Sequence, residues 1–164
     1  MTKDLSISDE ISKAAEIIKN GGVIIFPTDT VYGIGAKYDN EKAILKIRKI
    51  KGTPDSQNFP VLVSNIKQSE PIVRINNLAK TLMSRYWPGA LTIVLESKMG
   101  DKKIGIRFPN SKITKELIEK VGTPIIGTSA NFHKDKAPTK FEDLDPQFVK
   151  LADYVIKGDC SLGI

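Results

Sequence analysis

Two short runs of polar side chains, each placed directly after an apolar segment, are the residues best suited to chemistry in this sequence. "VIIF" is followed by Pro27 and then Thr28–Thr30, and "PIIG" is followed by Thr128–Asn131. Short hydroxyl, carboxylate and amide side chains can reach a small polar ligand without filling the space that the ligand needs. Either run alone is typical of a turn or a helix cap. Two such runs in one chain favour a binding site at the ends of two strands.

Basic residues supply a second set of candidates. Lys49 and Lys51 lie in "RKIKGTP", a glycine-containing segment suited to phosphate, and Arg107 ends the apolar segment "IGIRF". A charge at that position is costly unless it faces a cleft or a partner. The planar guanidinium fork suits a carboxylate or a phosphate. An ion pair with a neighbouring acid explains Arg107 equally well, and both interpretations stay open at this point.

Several common motifs are missing from the chain. Gly33 and Gly35 have the spacing of a dinucleotide fingerprint, but Tyr38 stands where its third glycine is needed, and no P-loop "GK[ST]" occurs. His133 is the one histidine and Cys160 the one cysteine. This excludes an intramolecular disulfide, a cysteine-based metal site and a histidine-rich one. Bound phosphates must therefore be held by side chains and turn amides, and we expect no permanently bound metal.

The elements that position these residues follow from apolar spacing and from Gly, Pro and capping residues. A helix is predicted from Ser6 or Ser8 to Gly21-Gly22, with Ile11, Ala14, Ala15 and Ile18 inside. Further helices are predicted at 40–50 (inner Ile44 and Ile47), at 76–87 (inner Leu78, Leu82 and Tyr86), from Ser111 to Gly122, and near 144–151. Strands are predicted at "VIIF", "FPVLV", "LTIVLE", "IGIRF", "TPIIGTSAN" and "YVI", with freely bending backbone after Thr30. This alternation predicts an α/β fold with a mixed sheet.

Length and composition set the outer limits. The 164 residues, with 40% hydrophobic and 27% charged residues, predict one globular domain spanning 1–164. No apolar run is long enough for a bilayer, and the N-terminus lacks the pattern of a secretory signal. We therefore expect a cytoplasmic protein with no membrane partner. The net charge of +6 favours nucleotides or RNA as partners. A net positive charge is also common in proteins in which it serves only solubility.

Taken in order, the motifs resemble one family. "GGVIIFPTDTVYGIGA", "IKGTP" followed by "FPVLV", "WPGALTIVL", "IGIRFP" and "PIIGTSAN" with "APT" behind it are similar to the YrdC-like domain of threonylcarbamoyl-AMP synthases. The resemblance implies a twisted open α/β fold with a mixed sheet and flanking helices around a large basic cavity. It implies that L-threonine, bicarbonate and ATP with Mg²⁺ as substrates give threonylcarbamoyl-AMP and pyrophosphate. Other threonylcarbamoylation proteins then modify the adenosine beside the anticodon of tRNA, and the resemblance also implies affinity for double-stranded RNA.

The resemblance also assigns roles to residues. It implies that Thr30, Arg107 and the backbone of Gly127 bind threonine, and that Lys51, Ser129 and Asn131 act at the reacting nucleotide. The positions that it places at ATP are Lys51, Thr53, Gln57, Lys103, Ser129 and Ala137.

Some of these positions carry unusual residues. Thr53 stands where the family has an arginine, Gln57 where it has lysine or asparagine, and Leu62 where it often has histidine. Lys103 and Ala137 replace a threonine and a serine, and Lys49 or Lys103 is a candidate to supply the missing charge. Two alternatives therefore stand beside the synthase. One is a catalytically weak module that binds RNA or nucleotide, and the other is an adenylate-forming enzyme for another small substrate.

Overall fold

The fold is built on one mixed, seven-stranded sheet, seen in a computed structural model that describes residues 5–161. The strand order is β4-β5-β3-β6-β2-β1-β7. The strands are β1 (Ile24–Pro27), β2 (Tyr32–Lys37), β3 (Val61–Leu62), β4 (Ile93–Glu96), β5 (Lys103–Arg107), β6 (Ile125–Ser129) and β7 (Tyr154–Val155). In the part of the chain that the structure describes, only the β1–β7 and β3–β5 pairs are parallel. The predicted α/β fold with a mixed sheet is confirmed.

Five α-helices within residues 5–161 flank the sheet: α1 (Ile7–Lys19), α2 (Glu41–Lys51), α3 (Asn77–Tyr86), α4 (Lys112–Val121) and α5 (Pro146–Val149). The side chains of Ser6, Asn40, Asn76 and Ser111 each accept a backbone N–H at the start of the first four helices. Left-handed Gly52 and Gly122 end α2 and α4, a conformation that costs glycine little. No helix within residues 5–161 is long and apolar enough to cross a membrane.

Two apolar cores hold the helices to opposite faces of the sheet. On one face α1 and α4 pack against Phe26 and Leu62, and α1 contributes the stripe Ile11, Ala14, Ala15 and Ile18 as predicted. The larger core on the other face contains residues of α2, α3 and α5 together with Ile34, Val61 and Ile126. Each fully buried isoleucine contributes about 1.5–3 kcal/mol to folding. The cores thereby fix which strand residues face which side.

The segment after Thr30 differs from its prediction. Residues 32–37 form the central strand β2, antiparallel to both β1 and β6, and not a bending loop. Its two glycines hid the strand pattern, and packing explains why they are there. A Cβ on Gly35 would lie 2.2 Å from the carbonyl oxygen of Ile126 and 3.0 Å from the Phe26 ring. Glycine at this position lets two strands and a ring approach closely.

The inner face of α3 was also predicted wrongly. Leu78 and Tyr86 are 68% and 49% exposed, and Leu82 is half-buried, whereas Ala79 and Met83 are buried. Consecutive residues are about 100° apart around a helix, so the buried stripe is rotated by one position from the predicted one. Small Ala79 allows α3 to pack closely. Strand β3 is shorter than predicted, with Phe59 and Val63 buried on either side of it but outside the ladder.

Candidate functional site

The two polar runs meet at one edge of the sheet. Strand β2 is antiparallel to both β1 and β6, so those two strands run in the same direction with β2 between them. Thr28–Thr30 therefore follows β1 on the same edge at which Ser129–Asn131 ends β6. Ligands of open α/β sheets bind beyond such strand ends. The structure brings together the two runs that the sequence singled out.

A cavity of about 180 Å³ opens beside these strand ends. Thr28, Leu62, Arg107, Gly127 and Ser129 are among the residues that line it. The volume is below the roughly 300–1,000 Å³ of pockets for drug-sized ligands, so the cavity fits one molecule of amino-acid size. The resemblance implies a large basic cavity. The cavity found at these strand ends is small, and Arg107 is the one charged residue within residues 5–161 that lines it.

Glycine keeps this cavity open. A Cβ on Gly127 would lie 2.5 Å from Cδ1 and 3.1 Å from Cγ of Leu62. Both distances are too short, so Leu62 would have to move. Gly33 lines the cavity as well, on the neighbouring strand. The absent side chains leave space above the sheet that two ordinary residues would fill.

We expect Gly127→Ala to abolish measurable binding of an amino acid in this cavity, because a displaced Leu62 takes up the space. Overpacking of this kind costs about 1–3 kcal/mol of stability, which thermal unfolding measures. Gly22→Ala is the matched control, since its Cβ would strike Ile17 and destabilise the fold without reaching the cavity. Unchanged ligand affinity in a folded Gly127→Ala variant would contradict this role.

Arg107 is held rigidly at the mouth of the cavity. Its Nε donates to the Gly89 carbonyl at 3.1 Å, its Nη1 lies 3.4 Å from the Thr30 hydroxyl, and its Nη2 pairs with Asp29. The Asp29 carboxylate is fully buried, and its second oxygen accepts the backbone N–H of Asn110 at 3.0 Å. Both interpretations of Arg107 from the sequence therefore apply: it forms an ion pair with an acid and also faces the cleft.

Asp29 is a residue whose part in the site the sequence analysis missed. The sequence predicted its carboxylate as a possible ligand contact and did not predict that it pairs with Arg107. A signal existed, because an acid directly after a buried strand needs a cation or several N–H donors. Asp29, Gly89 and Thr30 each take one N–H of Arg107, so two of its five N–H groups remain free for an incoming anion.

Thr28 fixes the turn that presents Thr30. Its hydroxyl donates to the carbonyl of Val31 at 2.7 Å and accepts the backbone N–H groups of Thr30 and Val31 at 3.2 and 3.3 Å. Local bonds of this kind are typical of Thr in turns. The Thr30 hydroxyl lies 3.3 Å from that of Thr28. Thr30 thus stands between the turn and Arg107.

Lys51, the last residue of α2, does not line the cavity but contacts the residues at the end of β6. Its ammonium donates to the carbonyls of Ser129 and Asn131, the latter at 2.9 Å, and lies 3.5 Å from Oγ of Ser129. The residue is 4% exposed, and burial lowers its pKa from 10.5 to about 8. Because Ser129 lines the cavity and also contacts Lys51, it joins the amino-acid-sized cavity to this cation.

Two buried polar side-chain atoms lack a hydrogen-bond partner within residues 5–161. The Thr53 hydroxyl and Oδ1 of Asn131 accept or donate no hydrogen bond within the described chain. The Asn131 amide nitrogen, in contrast, donates to the carbonyls of Phe132 and Asp135. Unsatisfied buried groups are uncommon and often mark functional positions.

The remaining predicted positions lie apart from the cavity. Gln57 is exposed, and its carbonyl accepts from Arg48; Ala137 is half-buried in the loop after β6; Lys49 is exposed on α2. Lys103 begins β5, four residues and about 13 Å along the strand from Arg107. None of them lines the Arg107 cavity. Neither Lys49 nor Lys103 therefore restores charge at that cavity.

No group of three His, Cys, Asp or Glu side chains within residues 5–161 is placed to hold a metal ion. The cavity offers hydroxyls, backbone groups and one clamped guanidinium in place of metal ligands. An open mixed sheet with flanking helices and a cavity at the ends of two central strands places the chain in the α/β class of proteins.

Comparison with known proteins identifies the family to which this α/β chain belongs. The chain belongs to the Sua5/YciO/YrdC family, whose profile, described as "Telomere recombination", matches residues 16–164. It is 37% identical to threonylcarbamoyl-AMP synthase of Bacillus subtilis, over 93% of this chain and 49% of that protein. It is 36% identical to a putative threonylcarbamoyl-AMP synthase of Methanocaldococcus jannaschii, over 93% of this chain and 77% of that protein.

A solved structure agrees with this assignment. Pyrococcus abyssi Sua5 complexed with L-threonine superposes with a TM-score of 0.88 at 30% identity, covering 96% of this chain and 48% of that one. The YrdC-like fold implied by the motifs is thereby confirmed. The chain spans about half the length of the Bacillus and Pyrococcus relatives.

Proposed function

We propose that this chain carries the catalytic site of an L-threonylcarbamoyladenylate synthase, which joins L-threonine, bicarbonate and ATP. The observation that carries the proposal is an amino-acid-sized cavity lined by Arg107, whose guanidinium contacts Thr30, and by Ser129, which contacts Lys51. The names of the relatives and the threonine complex of Pyrococcus abyssi Sua5 support the same substrates.

In this proposal the threonine carboxylate lies against the outer N–H groups of Arg107. The guanidinium is already oriented by Asp29 and Gly89, so little rotational entropy is lost on binding. Thr30 offers a hydroxyl to the same substrate, and the backbone of Gly127 lines the cavity without a side chain in the way.

ATP is then placed along the rim at Lys51, Ser129 and Asn131, because the cavity itself has no room for a nucleotide beside threonine. The lysine ammonium has three N–H donors, of which two are used by carbonyls at or below 2.9 Å. The third N–H donor has only a long contact, 3.5 Å from Ser129 Oγ. It is therefore available to a phosphate oxygen. Mg²⁺ would enter with the phosphates of ATP.

The chemistry requires a nucleophile and a leaving group in line. The threonine amine first takes up carbon dioxide from bicarbonate to give a carbamate and water. A carbamate oxygen then attacks the α-phosphorus, and pyrophosphate leaves with the electron pair of the broken P–O bond. Positive charge fixed at Lys51 stabilises the negative charge that develops there. Arg107 holds the amine at a constant distance from the rim.

The direct test is pyrophosphate release from ATP, Mg²⁺ and bicarbonate with and without L-threonine. Release that depends on threonine is expected, and a panel of other amino acids separates this enzyme from an adenylate-forming enzyme with another substrate. Release that ignores threonine, or no release at high protein concentration, would reject the proposal. Transfer to tRNA by partner threonylcarbamoylation proteins, in the cytoplasm, follows from the same assignment.

A second candidate function is a catalytically weak module that binds double-stranded RNA or nucleotide. Thr53, where the family has an arginine, and the net charge of +6 favour it. It predicts RNA binding that weakens steeply with salt and that survives Arg107→Ala. A chain that fails to bind RNA at low salt is not such a module.

We expect Asp29→Asn to lower the stability of the protein, because Arg107 loses its ion-pair partner. Breaking one side of a buried ion pair costs about 3–5 kcal/mol of stability, because the remaining charge is left buried without its partner. A double-mutant cycle with Arg107→Met, measured by urea unfolding, isolates the coupling of the two side chains. A coupling above about 1 kcal/mol is expected for neighbours of this kind. Strictly additive effects would show that Asp29 does not hold Arg107.

A further inference from the structure

One wall of the Arg107 cavity is apolar, and it consists of the Phe26 ring and the Leu62 side chain. Cζ of Phe26 lies 3.4 Å and 3.6 Å from the positions that a Cβ would take on Gly33 and Gly127. Cδ1 of Leu62 lies 2.5 Å from the same Gly127 position. The ring and the leucine therefore lie on one face of the sheet, against backbone that carries no side chain of its own. All four residues line the cavity.

Thr28 lines this cavity as well, but its hydroxyl has no hydrogen-bonding capacity left for a ligand. A hydroxyl group donates one hydrogen bond and accepts two. The Thr28 hydroxyl donates to the carbonyl of Val31 and accepts the backbone N–H groups of Thr30 and Val31. A ligand hydroxyl that competed for Thr28 would have to open the turn that follows β1.

Thr128 contributes only its backbone to the cavity. Successive side chains of a strand point to opposite faces of the sheet, so its side chain points away from the face that Gly127 and Ser129 present. Its carbonyl oxygen lies 3.4 Å from the Cβ position of Gly33. The Thr128 hydroxyl is therefore on the other side of the sheet from a ligand in this cavity.

The carbonyl of Gly127 is a polar group that a ligand can use. Residue 60 lies opposite Gly127 in the ladder, next to the pair of Val61 with Ile126, and the Gly127 N–H donates to the Pro60 carbonyl at 3.1 Å. The second bond of such an antiparallel pair would come from the N–H of residue 60, and proline has none. The Gly127 carbonyl thus lacks its ladder donor within residues 5–161 and is suited to the amine of an amino acid.

The remaining polar groups lie at the two ends of the cavity. Arg107 contacts the Thr30 hydroxyl at 3.4 Å, and the Ser129 hydroxyl lies 3.5 Å from the Lys51 ammonium. In the proposed function the first pair receives the carboxylate of the amino acid and the second pair receives the nucleotide. No polar side chain is then left for the side chain of the amino acid.

We propose that this cavity recognises its amino acid by an apolar branch at Cβ and not by a hydroxyl, so that L-valine binds as well as L-threonine. The ligand class is small amino acids that are branched at Cβ, and Leu62 is the residue that decides this specificity. The inference rests on the proposed function, because it concerns the amino acid bound in the same site. The side chain of that amino acid lies against the apolar lining residues, which are Phe26, Val31, Pro60 and Leu62.

The size of the expected effect separates the two kinds of recognition. L-Valine carries a methyl group where L-threonine carries its hydroxyl, and L-serine keeps the hydroxyl but lacks the methyl group. An apolar pocket distinguishes one such carbon by about 10–200-fold, whereas a site that hydrogen-bonds a hydroxyl rejects the analogue without it by about 10⁴–10⁵-fold. We therefore expect the Kd of valine to lie within about tenfold of that of threonine, and serine to bind at least about tenfold more weakly.

The test is calorimetry of the full chain with L-threonine, L-valine and L-serine. Leu62→Asn places an amide in the apolar wall, and it should raise the preference for threonine over valine at least about tenfold, because valine leaves the buried amide without a partner. Leu95→Asn is the matched control, since it places the same amide in the core on the other face of the sheet. It should change that preference by less than about twofold. Thermal unfolding shows whether each variant is folded.

The comparison of the three amino acids on the natural chain decides the inference even if Leu62→Asn does not fold. Threonine binding with valine more than about tenfold weaker overturns the inference and leaves the synthase assignment standing. Serine binding as tightly as threonine also overturns it, because the methyl group would then contribute nothing. Equal effects of Leu62→Asn and Leu95→Asn on the preference do the same for the role of Leu62. If neither threonine nor valine binds, the inference and the proposed function fail together.

Discussion

Replacing Arg107 and Asp29 together, by Arg107→Met with Asp29→Asn, is expected to lower the affinity for L-threonine about 100-fold or more. The paired variant removes the guanidinium without leaving a buried carboxylate unpaired, so loss of binding is not confused with unfolding. Two charge-assisted hydrogen bonds to the substrate carboxylate, at about 1.5–3 kcal/mol each, are lost. Calorimetry with threonine measures the effect, and ATP affinity should change by less than about threefold.

Arg107→Lys is the conservative variant in this series. It keeps the positive charge but loses the fork whose separate nitrogens contact Gly89, Thr30 and Asp29. We expect most of the threonine affinity to be lost, because a single ammonium cannot hold Asp29 and a carboxylate in the same geometry. Wild-type affinity in Arg107→Lys would mean that the charge alone matters. Wild-type affinity in the paired variant would place threonine elsewhere.

The second large effect is expected at Lys51, whose buried ammonium has a pKa lowered to about 8. Removing it in Lys51→Met should reduce kcat/KM for ATP about 100-fold, because charge at the developing pyrophosphate is lost. In the natural chain the lysine is protonated below about pH 8 and neutral above it. The KM for ATP should therefore rise above pH 8, by at most about tenfold per pH unit. Lys51→Arg, which stays charged, should remove this pH dependence.

The free energy of unfolding should rise over the same pH range in which ATP binding becomes weaker. Between about pH 8 and 10.5 the unfolded chain keeps the Lys51 proton that the folded chain has lost, so the free energy of unfolding rises with pH. The gain is on the order of 3 kcal/mol, and it should be absent in Lys51→Met. Urea unfolding at pH 7.5 and 10 measures it. A stability that falls equally in both proteins would show that Lys51 is not desolvated.

What the sequence determined by itself is the set of elements and the residue types at their ends. The apolar stripe of α1, its start at Ser6 and the limits of α4 at Ser111 and Gly122 are local signals, and the structure reproduces them. The motifs also identified the family. These features depend on neighbours within a few residues along the chain, so the sequence carries them directly.

The tertiary structure alone decided which segments meet and which side chains they bury. Strand β2 was not predicted, because it contains Gly33 and Gly35. The need for glycine at these positions arises from close contacts with Phe26 and Ile126 on neighbouring strands. The inner stripe of α3 shifted to Ala79 and Met83 because the sheet selects the side that packs. The pairing of Asp29 with Arg107 joins residues 78 positions apart, and the separation of Lys103 from the Arg107 cavity follows from strand direction. Local pattern contains no record of such contacts, because their energy depends on packing and burial across the whole fold.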